Sequence, residues 1–166
     1  MAWVVLGRQP TLAGMDNQPA DRSSVAILAD DLMWSTRLAD LVTAAGWRPV
    51  VVRSLPDLAT TLATVGPVIV DLTARAYDGI AAVEVAAHSD HRVLCVGQHD
   101  DLDLRKRALE AGAERVYAYR LLSERGAVLH GWLNQAAESA GAAESSTPAA
   151  MTDATPSSEP DGADET

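Results

Sequence analysis

Pro67-Val68-Ile69-Val70-Asp71 decides the fold. It is a short apolar run, flanked by turn-forming residues, that ends in a carboxylate. A run of this length, apolar at successive positions, is the pattern of a strand buried on both faces of a parallel sheet. The same pattern recurs upstream in Val25-Ala26-Ile27-Leu28-Ala29, which is followed by Asp30 and Asp31. Further strands are predicted over Pro49–Val52, Arg92–Val96 and Arg115–Tyr119.

Helical patterns fill the gaps. From Trp34 to Ala45 the apolar residues Trp34, Leu38, Leu41, Val42 and Ala45 share one helical face, and Gly46 follows as a C-terminal stop. Ser54-Leu55-Pro56-Asp57 has the form of a capping box and opens a helix to about Thr64. Helices are also predicted over Gly79–His88, Asp101–Ala111 and Leu121–Ala137, the second stopped by Gly112. Alternating strand and helix patterns with right-handed crossovers make an α/β fold, a doubly wound five-stranded parallel sheet with helices on both faces.

Beyond this core the composition changes. Residues 1–24 read as a flexible leader, 25–138 as the folded domain, and 139–166 as a disordered tail of Ala, Ser, Thr, Pro and acids. The formal net charge is −10, of which the seven acids from Glu138 to Thr166 carry −7 and leave −3 for the rest. A basic face of the kind that binds nucleic acid phosphates is not expected. The apolar start Met1–Leu6 is too short to span a membrane and lacks the charged beginning of a signal peptide, so a cytoplasmic protein is expected. Cys95, the one cysteine, falls inside an apolar strand and reads as a buried hydrophobe. Trp34, Trp47 and Trp132 read as packing residues.

In open α/β sheets ligands gather at the carboxyl ends of the strands, near the point where strand order reverses. No glycine-rich phosphate loop follows the first strand, so neither a dinucleotide site nor a nucleoside triphosphatase is indicated. In the strand order 2-1-3-4-5, Asp30 and Asp31 would converge with Asp71, and clustered carboxylates suit a hard divalent cation such as Mg²⁺. In His99-Asp100-Asp101, an Asp capping the next helix is the expected role. His88 and His91 fall at the opposite, amino-terminal end of the sheet.

Over about Val25 to Ala137 the sequence resembles the receiver domain of bacterial response regulators, the CheY-like, flavodoxin-like fold. Leu28-Ala29-Asp30-Asp31 resembles the acidic pair after the first strand, and Val68-Ile69-Val70-Asp71 the segment that bears the phosphoacceptor. Asp78-Gly79 falls at the family's downstream Asp-Gly turn, and Ala111-Gly112-Ala113 at its Ala-Gly-Ala. The resemblance implies that Asp71 is the phosphoacceptor and that Mg²⁺ is held by Asp30, Asp31, Asp71 and the backbone carbonyl of Thr73. It also implies a partner surface on the fourth helix, fifth strand and fifth helix, with Tyr117, Tyr119 and Arg120 as candidates, and a homodimer through that face.

The sequence departs from the family at two chemical positions. The hydroxyl position falls on Gly97 and the lysine position on Tyr119, and the customary Pro between Asp71 and the Asp-Gly turn is missing. Arg120, Arg75, Gln98 or the amide of Gly97 are the substitutes that stand nearby in sequence. The expected function is a stand-alone, non-enzymatic signalling module in two-component signalling that acts by protein–protein contact: a pseudo-receiver with weak or no aspartyl phosphorylation. The alternatives are a phosphorylatable single-domain regulator using Asp71 with Mg²⁺, and an unrelated metal-assisted enzyme on a flavodoxin-like scaffold.

Overall fold

The computed structural model describes residues 23–144, with side chains described as far as Glu138. The expected leader lies outside the described residues up to position 22, as does the tail from 145. The elements are β1 (Ser24–Leu28), α1 (Leu32–Ala44), β2 (Arg48–Val52), α2 (Leu55–Thr61) with a 3-10 turn (Leu62–Thr64), β3 (Val68–Asp71) and α3 (Gly79–His88). They continue with β4 (Val93–Gly97), α4 (Leu102–Glu110), β5 (Arg115–Ala118), α5 (Tyr119–Glu124) and α6 (Ala127–Glu144).

All five strands are parallel, in the order β2-β1-β3-β4-β5. This is the doubly wound order that the sequence predicts. β1 and β3 pair in register Leu28↔Val70, so the chain leaves both strands side by side, at the same edge.

Strand side chains alternate between two cores, as a pleat requires. Ala26, Leu28, Val68, Val70, Val93 and Cys95 pack toward α2, α3 and α4. Val25, Ile27, Ile69, Leu94 and Val96 pack toward α1, α5 and α6, against Leu38, Val42, Leu122, Leu129 and Leu133. Full burial of each such aliphatic side chain contributes roughly 1.5–3 kcal/mol. Cys95 is buried and free, as the sequence suggests, and burial pushes its thiol up to about 12, so it stays protonated.

The starts of α2 and α4 follow the capping chemistry legible in the sequence: Asp101 caps α4 by accepting from Leu104 N (2.9 Å). Asp31, read from the sequence as a metal-ligand candidate, caps α1 by accepting from Trp34 N (2.8 Å). At α2, Asp57 N donates to Ser54 Oγ (3.3 Å). Gly112 adopts φ +113, where a Cβ would also stand 2.6 Å from Ala87 Cβ.

Two boundaries differ from the sequence reading. β5 ends at Ala118, and Tyr119 is the first residue of α5 rather than the last of the strand. The single helix predicted over Leu121–Ala137 is two, broken at Arg125-Gly126. A Cβ at Gly126 would lie 2.8 Å from Leu41 Cδ2, so the break lets the chain pass close beneath α1. α6 runs on past Glu138 to Glu144.

Candidate functional site

At the carboxyl edge of the sheet, Asp30, Asp31, Trp34, Asp71, Thr73, Arg75, Gln98 and Tyr119 line one open cleft of about 680 Å³. The strand order brings them together. Asp30 and Asp31 follow β1, Asp71 closes β3, and Tyr119 opens the helix after β5.

Asp71 is 1% exposed, the one buried acid among the described residues. Its Oδ1 accepts from the backbone N–H of Thr73 (2.9 Å) and from Thr73 Oγ1 (2.9 Å). The first of these closes a local turn two residues long, a habit of Asp at strand ends. The third donor to the same oxygen is the hydroxyl of Tyr119. Tyr119 OH also lies 2.6 Å from Thr73 Oγ1. Two hydroxyl protons thus serve three contacts in a closed ring of oxygens. Burial, reinforced by the hydrogen bond to Asp71, raises the Tyr119 phenol above its ordinary value, so it remains a donor.

The backbone behind Asp71 is clamped by Tyr77. Its hydroxyl reaches the carbonyls of Leu28 (2.8 Å) and Asp71 (3.0 Å), tying the ends of β1 and β3. Burial first, then the neighbouring charge of Asp71, pushes this phenol above its ordinary value too.

Asp30 and Asp31 are engaged elsewhere. Asp30 Oδ2 accepts from the backbone N–H of Arg75 (2.8 Å) and Ala76 (3.0 Å), which latches the loop between β3 and α3. The Arg75 N–H holds the Asp30 carboxyl below the usual carboxylate range, against a smaller opposing effect of burial. Asp31 Oδ1 is the α1 cap. Among the described residues, no three His, Cys, Asp or Glu side chains are grouped so as to hold a metal ion. Mg²⁺ demands near-ideal octahedral oxygen geometry. The predicted set of Asp30, Asp31, Asp71 and Thr73 lines one cleft. The amide and hydroxyl of Thr73 both donate to Asp71 Oδ1.

The substitutes expected from sequence do not meet Asp71 through hydrogen bonds; Tyr119 does. Arg120 is an exposed residue paired to Glu124 at 2.7 Å within α5. Arg75 and Gln98 line the cleft. Gly97 closes β4 beside the site, and a Cβ there would meet only Leu72 at 3.8 Å. Tyr119 is a half-buried residue of the cleft, and Tyr117 is half-buried against the α1–α6 core.

Trp34 is a further correction. It is not a core residue: its ring stacks on Tyr119 with centroids 4.0 Å apart, and the Arg37 guanidinium lies 5.6 Å from the ring centre. Trp132, in contrast, is buried as the sequence suggests. His91 binds Gly66 O (2.6 Å) at the sheet's other end, apart from the acids.

No protein-family model and no curated protein matches the sequence. Solved structures match the fold. The receiver domain of the TMAO respiratory system response regulator TorR aligns at TM-score 0.59 and 21% identity, over 68% of this chain and 97% of that one. A response regulator receiver domain protein from Clostridium thermocellum aligns at 0.62 and 15%, over 72% and 98%. The beryllofluoride-activated NtrC4 receiver domain, solved as a dimer, aligns at 0.57 and 17%, over 67% and 95%. The chain thus has the CheY-like receiver fold of response regulators. Among the described residues no helix is long and apolar enough to cross a membrane.

Proposed function

We propose that this chain is a pseudo-receiver, a cytoplasmic signalling module that acts by contact with a protein partner and accepts a phosphoryl group at Asp71 weakly or not at all. The observation that supports this reading is the Tyr119 hydroxyl on Asp71 Oδ1. A receiver switch needs a cation to pair with the phosphoryl group and a hydroxyl to follow it. This chain offers a phenol at the first position and Gly97 at the second. The phenol supplies one hydrogen bond to the carboxylate and no positive charge to a dianionic acyl phosphate.

Contact is expected on α4, β5 and α5, where Arg120 is exposed and Tyr117 half-exposed, and a second copy of the chain is one candidate partner for that face. The contrary reading, a phosphorylatable regulator using Mg²⁺, draws on Asp30, Asp31 and Asp71 sharing one cleft.

Intact mass after incubation with acetyl phosphate and Mg²⁺, with Asp71→Asn as control, separates the two. The pseudo-receiver reading expects the wild-type mass unchanged or shifted in only a minor fraction of the protein. A phosphoryl adduct on most of the wild-type protein that Asp71→Asn lacks would establish the contrary reading.

A further inference from the structure

We infer that Tyr119 is a plug: the block on acceptor chemistry at Asp71 resides in this one side chain, not in the rest of the fold. The inference rests on reading Asp71 as the acceptor position. Transfer from an acyl phosphate requires an Asp71 oxygen lone pair to form a bond to phosphorus as the bond from phosphorus to the acyl oxygen breaks. The carboxylate of the donor leaves with that electron pair, and no proton need move. Two things are needed of Asp71: a lone pair free to point at the donor, and a path from solvent.

Tyr119 opposes both. Its hydroxyl binds Asp71 Oδ1, which also serves both donors of Thr73, so only the lone pairs of Oδ2 are left for a phosphoryl donor. Hydrogen bonds to a carboxylate stabilise the anion and lower its nucleophilicity. Its ring lines the cleft beside Asp71, stacked on Trp34, and Asp71 is 1% exposed. The other neighbours leave room. Gly97 has no side chain, and a Cβ there would have only Leu72 at 3.8 Å. Thr73 binds Asp71 from its own turn, so its bonds are local and move with the acid.

Tyr119 is the first residue of α5, a helix of six residues, and α5 reaches α1 through Arg37 Nη1 and Ser123 Oγ at 3.2 Å. A shift of α5 against α1 would withdraw the phenol and unstack Trp34 together. Asp71 would then be exposed by an event on α5, not by the arrival of a phosphoryl donor.

The test compares wild type, Tyr119→Ala and Tyr119→Phe, each as the full chain, by intact mass during incubation with acetyl phosphate and Mg²⁺. Circular dichroism verifies folding, and Asp71→Asn in the Tyr119→Ala background fixes the site. The plug predicts little or no adduct on wild type and an Asp71-dependent adduct on Tyr119→Ala, formed at least tenfold faster than any on wild type. Tyr119→Phe keeps the ring on Trp34 and loses only the hydroxyl, and it should label at an intermediate rate. If Tyr119→Ala does not fold, Tyr119→Phe decides alone. A folded variant without adduct beside an unlabelled wild type overturns the plug and leaves the pseudo-receiver reading standing. Wild type labelled as fast as Tyr119→Ala overturns both.

Discussion

The rings of Trp34 and Tyr119 lie 4.0 Å apart between centroids, tilted by 32°, joining the first turn of α1 to the first turn of α5. An aromatic pair of this kind contributes about 0.5–1.5 kcal/mol beyond the area it buries. A double-mutant cycle with Trp34→Ala and Tyr119→Ala, read by urea unfolding, should therefore show a coupling of about 1 kcal/mol. Additive losses would mean that the stack carries no energy and does not position the phenol.

Two glycines at the site should respond oppositely to Ala. At Gly79 a Cβ would stand 3.0 Å from the Cα of Leu72, a backbone atom that cannot yield, so Gly79→Ala should cost about 1–3 kcal/mol. At Gly97 the nearest atoms are side-chain carbons of Leu72 at 3.8 Å, ordinary contact distance. Gly97→Ala should be neutral or stabilising by up to about 1 kcal/mol, through reduced freedom of the unfolded chain. Thermal unfolding of the two variants checks both signs.

Much of the fold was legible because its determinants are local. The strand before Asp71, the caps at Ser54 and Asp101 and the stop at Gly112 each depend on a few adjacent residues, and all stand where the sequence puts them. The site was legible as far as strand ends locate it, which brought Asp30, Asp31 and Asp71 into one cleft. The role of Tyr119 was not. Alternation of Val116 and Ala118 with Tyr117 and Tyr119 reads as continued strand, whereas the backbone turns into helix after Ala118. That turn swings the phenol onto a carboxylate 48 positions earlier, a contact no periodicity encodes. Trp34 escaped for a related reason: it sits on the apolar stripe of α1, but at the end of the helix that overhangs the cleft.

Acid should loosen the latch between Asp30 and the loop at Arg75. The folded carboxyl titrates below its ordinary 3.8, because the Arg75 N–H binds the ionised form. Its stabilisation is therefore complete above 3.8 and is lost as pH falls through the lower folded value. The stability difference between wild type and Asp30→Asn should be constant near neutrality and shrink below pH 3.8. A difference that grows on acidification would contradict the latch.

At the far end of the sheet, Trp132 Nε1 donates to Glu114 Oε2 (2.8 Å), and Arg92 grips both oxygens of Glu114 at 2.7 Å. Arg92 also lies over the Trp132 ring, 5.2 Å from its centre. Trp132→Phe removes a hydrogen bond to a charged acceptor from a side chain that is 2% exposed. A loss of about 1.5–3 kcal/mol in urea unfolding is expected. A loss below about 0.5 kcal/mol would show that solvent replaces the indole without cost.

In the proposed pseudo-receiver, Tyr119 holds Asp71 and no phosphoryl switch operates at that acid. The most direct test is an amide NMR spectrum of the wild-type chain, recorded before and after addition of Mg²⁺ with beryllofluoride, a stand-in for the phosphoryl group. The resonances of Thr73, Gly97 and Tyr119 are expected to stay in place. Saturable movement of all three, abolished by Asp71→Asn, would contradict it.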